Sequence, residues 1–265
     1  MAVAAFFSHY HISPNNQGLK LSVKSDFTAR VGFGSSSAVS VATIKALGLL
    51  YNSKISEKEI FDLAYKVTLD IQGVGSGFDI AAATFGGTLY FRKGGSEVEM
   101  LSDALPLVVG YTGVKADTPT LVRFVQEQYK RQKGKLNKIF SEIGDLVKKS
   151  KAAVQKQDWP NLGELMNLNQ KQLRTLGVSS VKLDTLIEAA KRAGAYGAKL
   201  SGAGGGDCMV AVVPAEKRIL IEQAIRNGGG EVISVGTHAP GVRVETSANE
   251  TLSSATHYNT QNFLS

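Results

Sequence analysis

An α+β fold is predicted by three observations on the 265-residue sequence. Short segments that read as strands are scattered along the chain, at residues 19–24, where apolar and polar residues alternate, and at 88–92, 107–111, 207–213, 231–235 and 241–245. A long stretch from Thr118 to about Ala195 instead carries apolar residues at helical spacing. Glycine-rich turns sit at junctions between the two kinds of segment, so helices pack against a sheet instead of forming a bundle.

Taken in order, Leu19-Lys-Leu-Ser-Val-Lys24 alternates apolar and polar and reads as a strand. Gly32-Phe-Gly-Ser-Ser-Ser-Ala38 follows, and Val39 to Tyr51 has the Ala/Leu/Val content of a buried helix. Ser56 with Glu59 three residues later is a capping box that opens a helix through Ile60, Leu63, Ala64 and Val67. Thr88 to Arg92 and Leu107 to Tyr111 read as strands. The helical stretch breaks near Gly134, near Asp158-Trp-Pro160 and near Gly177-Val-Ser-Ser180. Asp207 to Val213 is a strand, Ala215 to Asn227 a helix, and 231–235 and 241–245 are closing strands. The Ser/Thr/Asn-rich tail, 247–265, has the composition of a disordered segment.

Hydrophobic residues make up 43% and charged residues 20%, a soluble balance for one large domain or two small ones. No apolar run approaches the roughly 20 residues of a membrane span, and the N-terminus lacks the basic region of a signal peptide. One cysteine, Cys208, excludes an internal disulfide and fits a reducing, cytoplasmic setting. The net charge of +7 is spread over helices, densest at Lys130, Arg131, Lys133, Lys135 and Lys138, and reads as solvated helix faces. With no aromatic platform or basic stripe, nucleic acid is not expected as a partner. His9 and His11 form a His-x-His pair on an expected strand, but no third metal ligand is suitably spaced. His238 and His257 fall in loop and tail, Trp159 packs a helix junction, and Cys208 is a buried small hydrophobe.

Four segments bear chemistry. Glycine and serine at 32–38, before a helix, suit close approach to phosphate oxygens, and equally suit a plain N-cap. There is no Gly-Lys-Ser/Thr to make it a Walker A loop. Lys199-Leu-Ser-Gly-Ala-Gly-Gly-Gly-Asp207 places five small residues in a row, costly to order unless backbone must lie close to a ligand. In Gly73-Val-Gly-Ser-Gly-Phe-Asp79, the aspartate is either a first-turn acid or a carboxylate that orients or deprotonates an attacking hydroxyl. In Thr112-Gly-Val-Lys-Ala-Asp-Thr118, Asp117 or Thr118 caps the following helix.

All four segments in this order resemble the GHMP kinase superfamily. Gly32 to Ala38 is similar to the family's Gly-Leu-Gly-Ser-Ser-Ala-Ala phosphate loop, with Phe33 for Leu and Ser37 for Ala, and Lys199 to Gly206 is similar to its C-terminal glycine motif. Within the family, 112–118, Gly163 to Gln170, Leu176 to Ser179 and Gly194 to Leu200 resemble the mevalonate kinase branch. Gly75 to Asp79 and Asp207-Cys208 are closer to the phosphomevalonate kinase branch.

The resemblance implies a GHMP kinase fold. Residues 1–105 would form a ribosomal-protein-like, ATP-binding N-terminal domain lacking its first strands, and 106–246 a ferredoxin-like C-terminal domain. It implies an ATP- and Mg²⁺-dependent transfer of the γ-phosphate to the hydroxyl of mevalonate, with phosphomevalonate as the alternative acceptor and an impaired metabolite-binding homologue as the alternative class. The expected partners are that small molecule and a second copy of the chain, with no membrane. Carried over residue by residue, Gly32, Gly34, Ser35, Ser36 and Ser37 would hold the nucleotide and Ser36 the metal. Asp79 would contact the acceptor hydroxyl and Thr118 the transferred group. Ser76, Gly77, Ser201, Gly202, Ala203, Gly204 and Gly205 would line the substrate. Two features depart from the family. Thr68 stands where a glutamate would be a second magnesium ligand, with Asp70 two residues on, and nothing upstream of Leu19 matches the family's Pro-Gly-Lys motif.

Overall fold

The computed structural model describes residues 1–13, 18–25, 34–102, 104–237 and 239–245. The first half is built on helices α1 (Ala2–His9), α2 (Ser35–Leu50), α3 (Glu57–Gln72) and α4 (Phe78–Phe85), followed by strands β1 (Thr88–Arg92) and β2 (Glu97–Ser102). The Ser56–Glu59 capping box is present: the hydroxyl accepts from Glu59 N–H and the glutamate accepts from Ser56 N–H. From there α3 turns Ile60, Phe61, Leu63, Ala64 and Val67 inward. All but Val67 join Phe6, Val41, Ile44, Leu47, Ile80 and Ala81 in one core. Each such large side chain gives about 1.5–3 kcal/mol on burial, so α1, α2 and α4 are held mainly by this contact.

In the second half β3 (Leu107–Tyr111) precedes α5 (Thr118–Gln128), α6 (Lys133–Gln155), α7 (Trp159–Leu176) and α8 (Val181–Arg192); β4 (Gly197–Leu200), β5 (Cys208–Val212), α9 (Arg218–Asn227) and β6 (Glu231–Ile233) follow. The antiparallel sheet has the order β4-β5-β3-β6. Alternation along β5 sorts the core: Met209 and Ala211 face α8 and α9 with Leu183, Leu186, Ile221 and Ile225. Val212 turns to the opposite side with Leu162, Leu165 and Met166 of α7. Trp159, beside Pro160 at the start of α7, is partly buried against that second cluster, at the helix junction where it was expected.

Hydrogen bonds among the described residues tie the halves, including those between Leu105 and Thr237. Lys151 of α6 donates to Glu99 of β2 and lies 4.6 Å above the Tyr90 ring. Further along, Gly87 N–H donates to Ala239 O and Val242 N–H to Thr84 O, which clips residues 239–242 onto the turn between α4 and β1.

Several elements differ from expectation. Residues 19–24 form no strand: they lie exposed, without a ladder partner among the described residues, and a strand needs one for its N–H and C=O groups. Nor do 241–245 among the described residues, where an isolated bridge pairs Gly86 with the preceding Pro240. His9 ends helix α1 and His11 lies beyond it at φ 52°, so they do not share a strand face. Short strands β2 and β4 were not anticipated, and the helix expected from Val39 begins four residues earlier, at Ser35. The expected tail, 247–265, and His238 and His257 lie outside the described residues.

Candidate active site

Helix α2 begins at Ser35, and its N-cap is Gly34 in the left-handed region at φ 69°. A serine or threonine at that cap would accept from the first-turn N–H groups; glycine offers no such acceptor, no side-chain cap is found there among the described residues, and the first turn carries no acid. The end of a 16-residue helix therefore presents N–H donors and a positive dipole to whatever anion approaches. Ser35 and Ser37 are half-buried and Ser36 is exposed. Gly32 belongs to the same predicted loop but lies outside the described residues.

Asp79 comes to this helix end from α4. A Cβ on Gly34 would stand 3.1 Å from Asp79 Cβ and 3.3 Å from its Cγ, so the carboxylate abuts the start of α2 directly. Its placement follows from Gly77, the N-cap of α4 at φ 89°, where a Cβ would meet the Tyr65 ring at 3.0 Å. Tyr65 donates to Gly75 O (3.1 Å), and Gly94 N–H donates to Ser76 O (2.9 Å), fixing the turn before α4. Burial pushes the Asp79 pKa above the ordinary carboxylate value. That shift suits a group asked to take a proton from an alcohol.

Thr68 does not serve this centre as a free hydroxyl. It donates to Ala64 O one turn back along α3 (3.1 Å), and its methyl packs toward Gly75. Asp70 is exposed near the end of α3. No cluster of three or more His, Cys, Asp or Glu suited to a metal is found among the described residues. What remains near the helix end is one carboxylate and serine hydroxyls. That set suits Mg²⁺ held largely by nucleotide phosphates and water, because Mg²⁺ commonly takes only one or two protein ligands at such sites.

Three loops interlock at one end of the four-stranded sheet: 112–118, 177–180 and 201–207. Gly205 N–H donates to Val178 O (2.7 Å), and Asp207 N–H donates to Val114 O (2.7 Å). Asp207, at φ 54°, accepts from Ala116 N–H on Oδ1 (3.1 Å). Thr112 N–H and Oγ1 both donate to the Asp207 carbonyl at 2.9 Å. The close approach predicted for this turn is thus first of all to the protein itself. A Cβ on Gly204 would lie 2.1 Å from Val178 O, and one on Gly206 would lie 2.5 Å from Val114 O. Gly202, at φ 81°, has nothing within 4 Å and is exposed, leaving Ser201 to Ala203 as the part of the turn that faces outward.

Asp117, not Thr118, is the cap of α5: it accepts from Thr120 N–H and Oγ1. Thr118 is exposed beside it and has no capping duty. The predicted residues therefore form two groups, Gly34 to Ser37 with Ser76, Gly77 and Asp79 on the first core, and Thr118 with Ser201 to Gly205 on the sheet.

Sequence reasoning assigned no role to two polar residues of α7. Asn167 Oδ1 accepts from Ala198 N–H (3.1 Å), and Gln170 Oε1 accepts from Leu200 N–H (3.0 Å). The signal was a polar pair three residues apart on an otherwise apolar helix face. Lys199, also unassigned, donates to Leu200 O (2.5 Å), and although the residue keeps some exposure, desolvation of its ammonium lowers its pKa to about 8. Cys208 is buried at the start of β5 and its thiol is pushed up to about 12, so it is no nucleophile.

The GHMP kinases N terminal domain model matches residues 1–87, and the GHMP kinases C terminal model matches 150–231. Mevalonate kinase from Pyrococcus abyssi is 40% identical over 234 residues, 86% of this chain and 69% of the relative. The crystal structure of Methanococcus jannaschii mevalonate kinase superposes with a TM-score of 0.71 at 27% identity, over 88% of this chain and 72% of that one. L. major mevalonate kinase in complex with R-mevalonate has a TM-score of 0.64 at 30% identity, over 73% and 61% of the two chains. With both family models matched in order and a relative this similar over most of its length, the chain belongs to the GHMP kinase family of ATP-dependent kinases, in its mevalonate kinase branch.

Proposed function

We propose that the chain transfers the γ-phosphate of ATP to the hydroxyl of mevalonate at the junction of its two halves, 1–105 and 106–246. One observation carries the chemistry: a half-buried carboxylate, Asp79, lies against the N-terminus of α2, which has no side-chain cap among the described residues. Phosphoryl transfer needs little covalent work from a protein; it needs fixed charges around the phosphates and a group to orient the acceptor hydroxyl. Gly34, Ser35, Ser36 and Ser37 would cradle the phosphates with N–H and hydroxyl donors. Mg²⁺ would sit on the phosphate oxygens and Ser36, supplying charge neutralisation. Asp79 would receive the acceptor hydroxyl's hydrogen bond and take its proton. Thr118 and the outward part of the second turn, Ser201 to Ala203, would close the site around the acceptor, with Ser76 and Gly77 beside Asp79.

Mevalonate is preferred over phosphomevalonate on two grounds. The relatives at about 40% identity are mevalonate kinases. Asp207, part of one of the two motifs that pointed to phosphomevalonate, spends its carboxylate on Ala116 N–H and its carbonyl on Thr112. ADP release measured with mevalonate, phosphomevalonate, homoserine and galactose tests the assignment. Turnover with mevalonate is expected. Turnover only with phosphomevalonate would replace the acceptor, and ATP binding without any acceptor-dependent turnover would make the chain an impaired homologue.

A further inference from the structure

The first glycine turn ends on a helix, but the second has no such support, and the structure shows what holds it. Strand β4 is an edge strand, and its partner β5 takes only one row of its backbone groups. The outward N–H groups of Ala198 and Leu200 are taken by Asn167 and Gln170, so helix α7 stands in for the missing neighbouring strand. Gln170 is 2% exposed and its other end is also engaged. Its Nε2 donates to Ser179 Oγ (2.9 Å) and to Asp184 Oδ1 (3.2 Å), while Ser179 Oγ donates to the same carboxylate oxygen (2.7 Å). Arg174 Nε holds Asp184 from the far side (2.8 Å) and its NH2 holds Glu188 (3.0 Å).

Ser179 follows Val178, the residue whose carbonyl accepts Gly205 N–H and fills the space a Gly204 side chain would need. One buried amide therefore reaches the turn twice. It fixes the Leu200 peptide just before Ser201 and, through Ser179 and Val178, the backbone at Gly204 and Gly205. Ser201 N–H also donates to Cys208 O (2.8 Å), which leaves Gly202 and Ala203, with the Ser201 side chain, as the outward part between the two anchors. Consecutive glycines lose more conformational entropy on ordering than other residues, so a turn of this composition holds one geometry only if something outside it imposes that geometry. A hydrogen-bond network centred on a buried amide does so with less freedom to adjust.

We propose that Gln170, with Ser179 and Asp184, is a positioning assembly that sets the outward segment Ser201–Ala203 for phosphoryl transfer, an inference that rests on the transfer reaction proposed above. None of the three residues touches the reacting atoms in this scheme; they act through the turn.

Two variants test it: Gln170→Leu, which removes both ends of the link, and Ser179→Ala, a smaller change that keeps the fold if the first variant loses it. Assayed well below their melting temperatures and counted per ATP-binding site, both are expected to lower kcat by about tenfold or more, as a misplaced positioning group does, with the KM for ATP changed by less than about threefold. Asp184→Asn, which keeps the acceptor oxygen, should lose far less than Asp184→Ala. Hydrogen exchange gives a readout independent of turnover: the Gly205 and Leu200 amides should exchange about tenfold faster in Gln170→Leu, or the Gly205 amide in Ser179→Ala. If the wild type turns over no acceptor, the transfer reading fails while the exchange result still decides the anchoring. Unchanged exchange, or wild-type kcat per ATP site in both variants, overturns the inference.

Discussion

The two glycine turns look alike in sequence and are held by opposite means. The turn at Gly34 gives the start of α2 no side-chain cap among the described residues, with a carboxylate close by. The turn at 201–207 is closed on itself: Val178 O, Val114 O and the Leu121 side chain occupy the places where side chains of Gly204, Gly206 and Gly205 would go. Glycine thus has two uses in one molecule. In the first turn it starts a helix without a side-chain cap, and in the second it lets three loops pack backbone to backbone. A run of glycines therefore does not by itself mark where a ligand sits. In the second turn most of them serve packing, and only Gly202 is open to solvent.

The sharpest way to break the comparison is to add a methyl group to each turn. Gly204→Ala meets a carbonyl at 2.1 Å and a left-handed φ of 91°, and should cost about 3 kcal/mol or more, read as a fall in denaturation midpoint. Gly34→Ala has a similar φ but a softer neighbour, the Asp79 side chain at 3.1 Å. It should cost only about 1–2 kcal/mol while lowering transfer by about tenfold to a hundredfold, because it displaces Asp79. If instead the first variant loses activity at full stability and the second unfolds, the division of labour is reversed.

A smaller effect separates Asp117 from Thr118. Asp117→Ala removes the cap of α5 and should cost about 1 kcal/mol. Thr118→Ala should stay within about 0.5 kcal/mol of wild type in stability and lower kcat instead. Equal stability losses in both would return Thr118 to a structural role.

The smallest effect is a pH dependence. Because burial raises the Asp79 pKa, the folded state favours the protonated carboxyl. The stability this gives is fully present below the unfolded-state pKa and is lost as pH rises through the folded value, so ionised Asp79 is a mild liability at neutral pH. Asp79→Asn should therefore melt slightly higher than wild type at pH 7, with the difference shrinking toward acid pH. The acid limb of kcat/KM in the wild type should also lie above the ordinary aspartate range of about 3.9.

Legibility from sequence followed the range of the interactions. Elements fixed by neighbours were readable: the Ser56–Glu59 box and the Asp158-Trp-Pro160 start of α7. Elements fixed by distant partners were not. Leu19 to Lys24 has the pattern of a strand, but pattern gives no pairing, whereas Gly197-Ala-Lys-Leu200 has little pattern and becomes a strand because β5 and the α7 side chains accept it. In the site, the identities of Gly34, Ser36 and Asp79 were legible, but the contact between residues 45 apart in the chain was not. Gln170 was least visible: its spacing from Asn167 on an apolar helix face was a signal, but that spacing alone does not name the Leu200 amide and the Ser179 hydroxyl as its partners.

The central claim is that the contact between Gly34 and Asp79 separates binding from chemistry, with the helix end holding the nucleotide and the carboxylate serving the acceptor. Parallel titration of ATP and assay of mevalonate phosphorylation in wild type and Asp79→Asn tests it directly. ATP affinity should be retained or slightly improved, because a negative charge beside the phosphates has been removed. Transfer should fall by about 10²–10⁴-fold. Undiminished transfer by Asp79→Asn, or a parallel collapse of ATP binding, would contradict it.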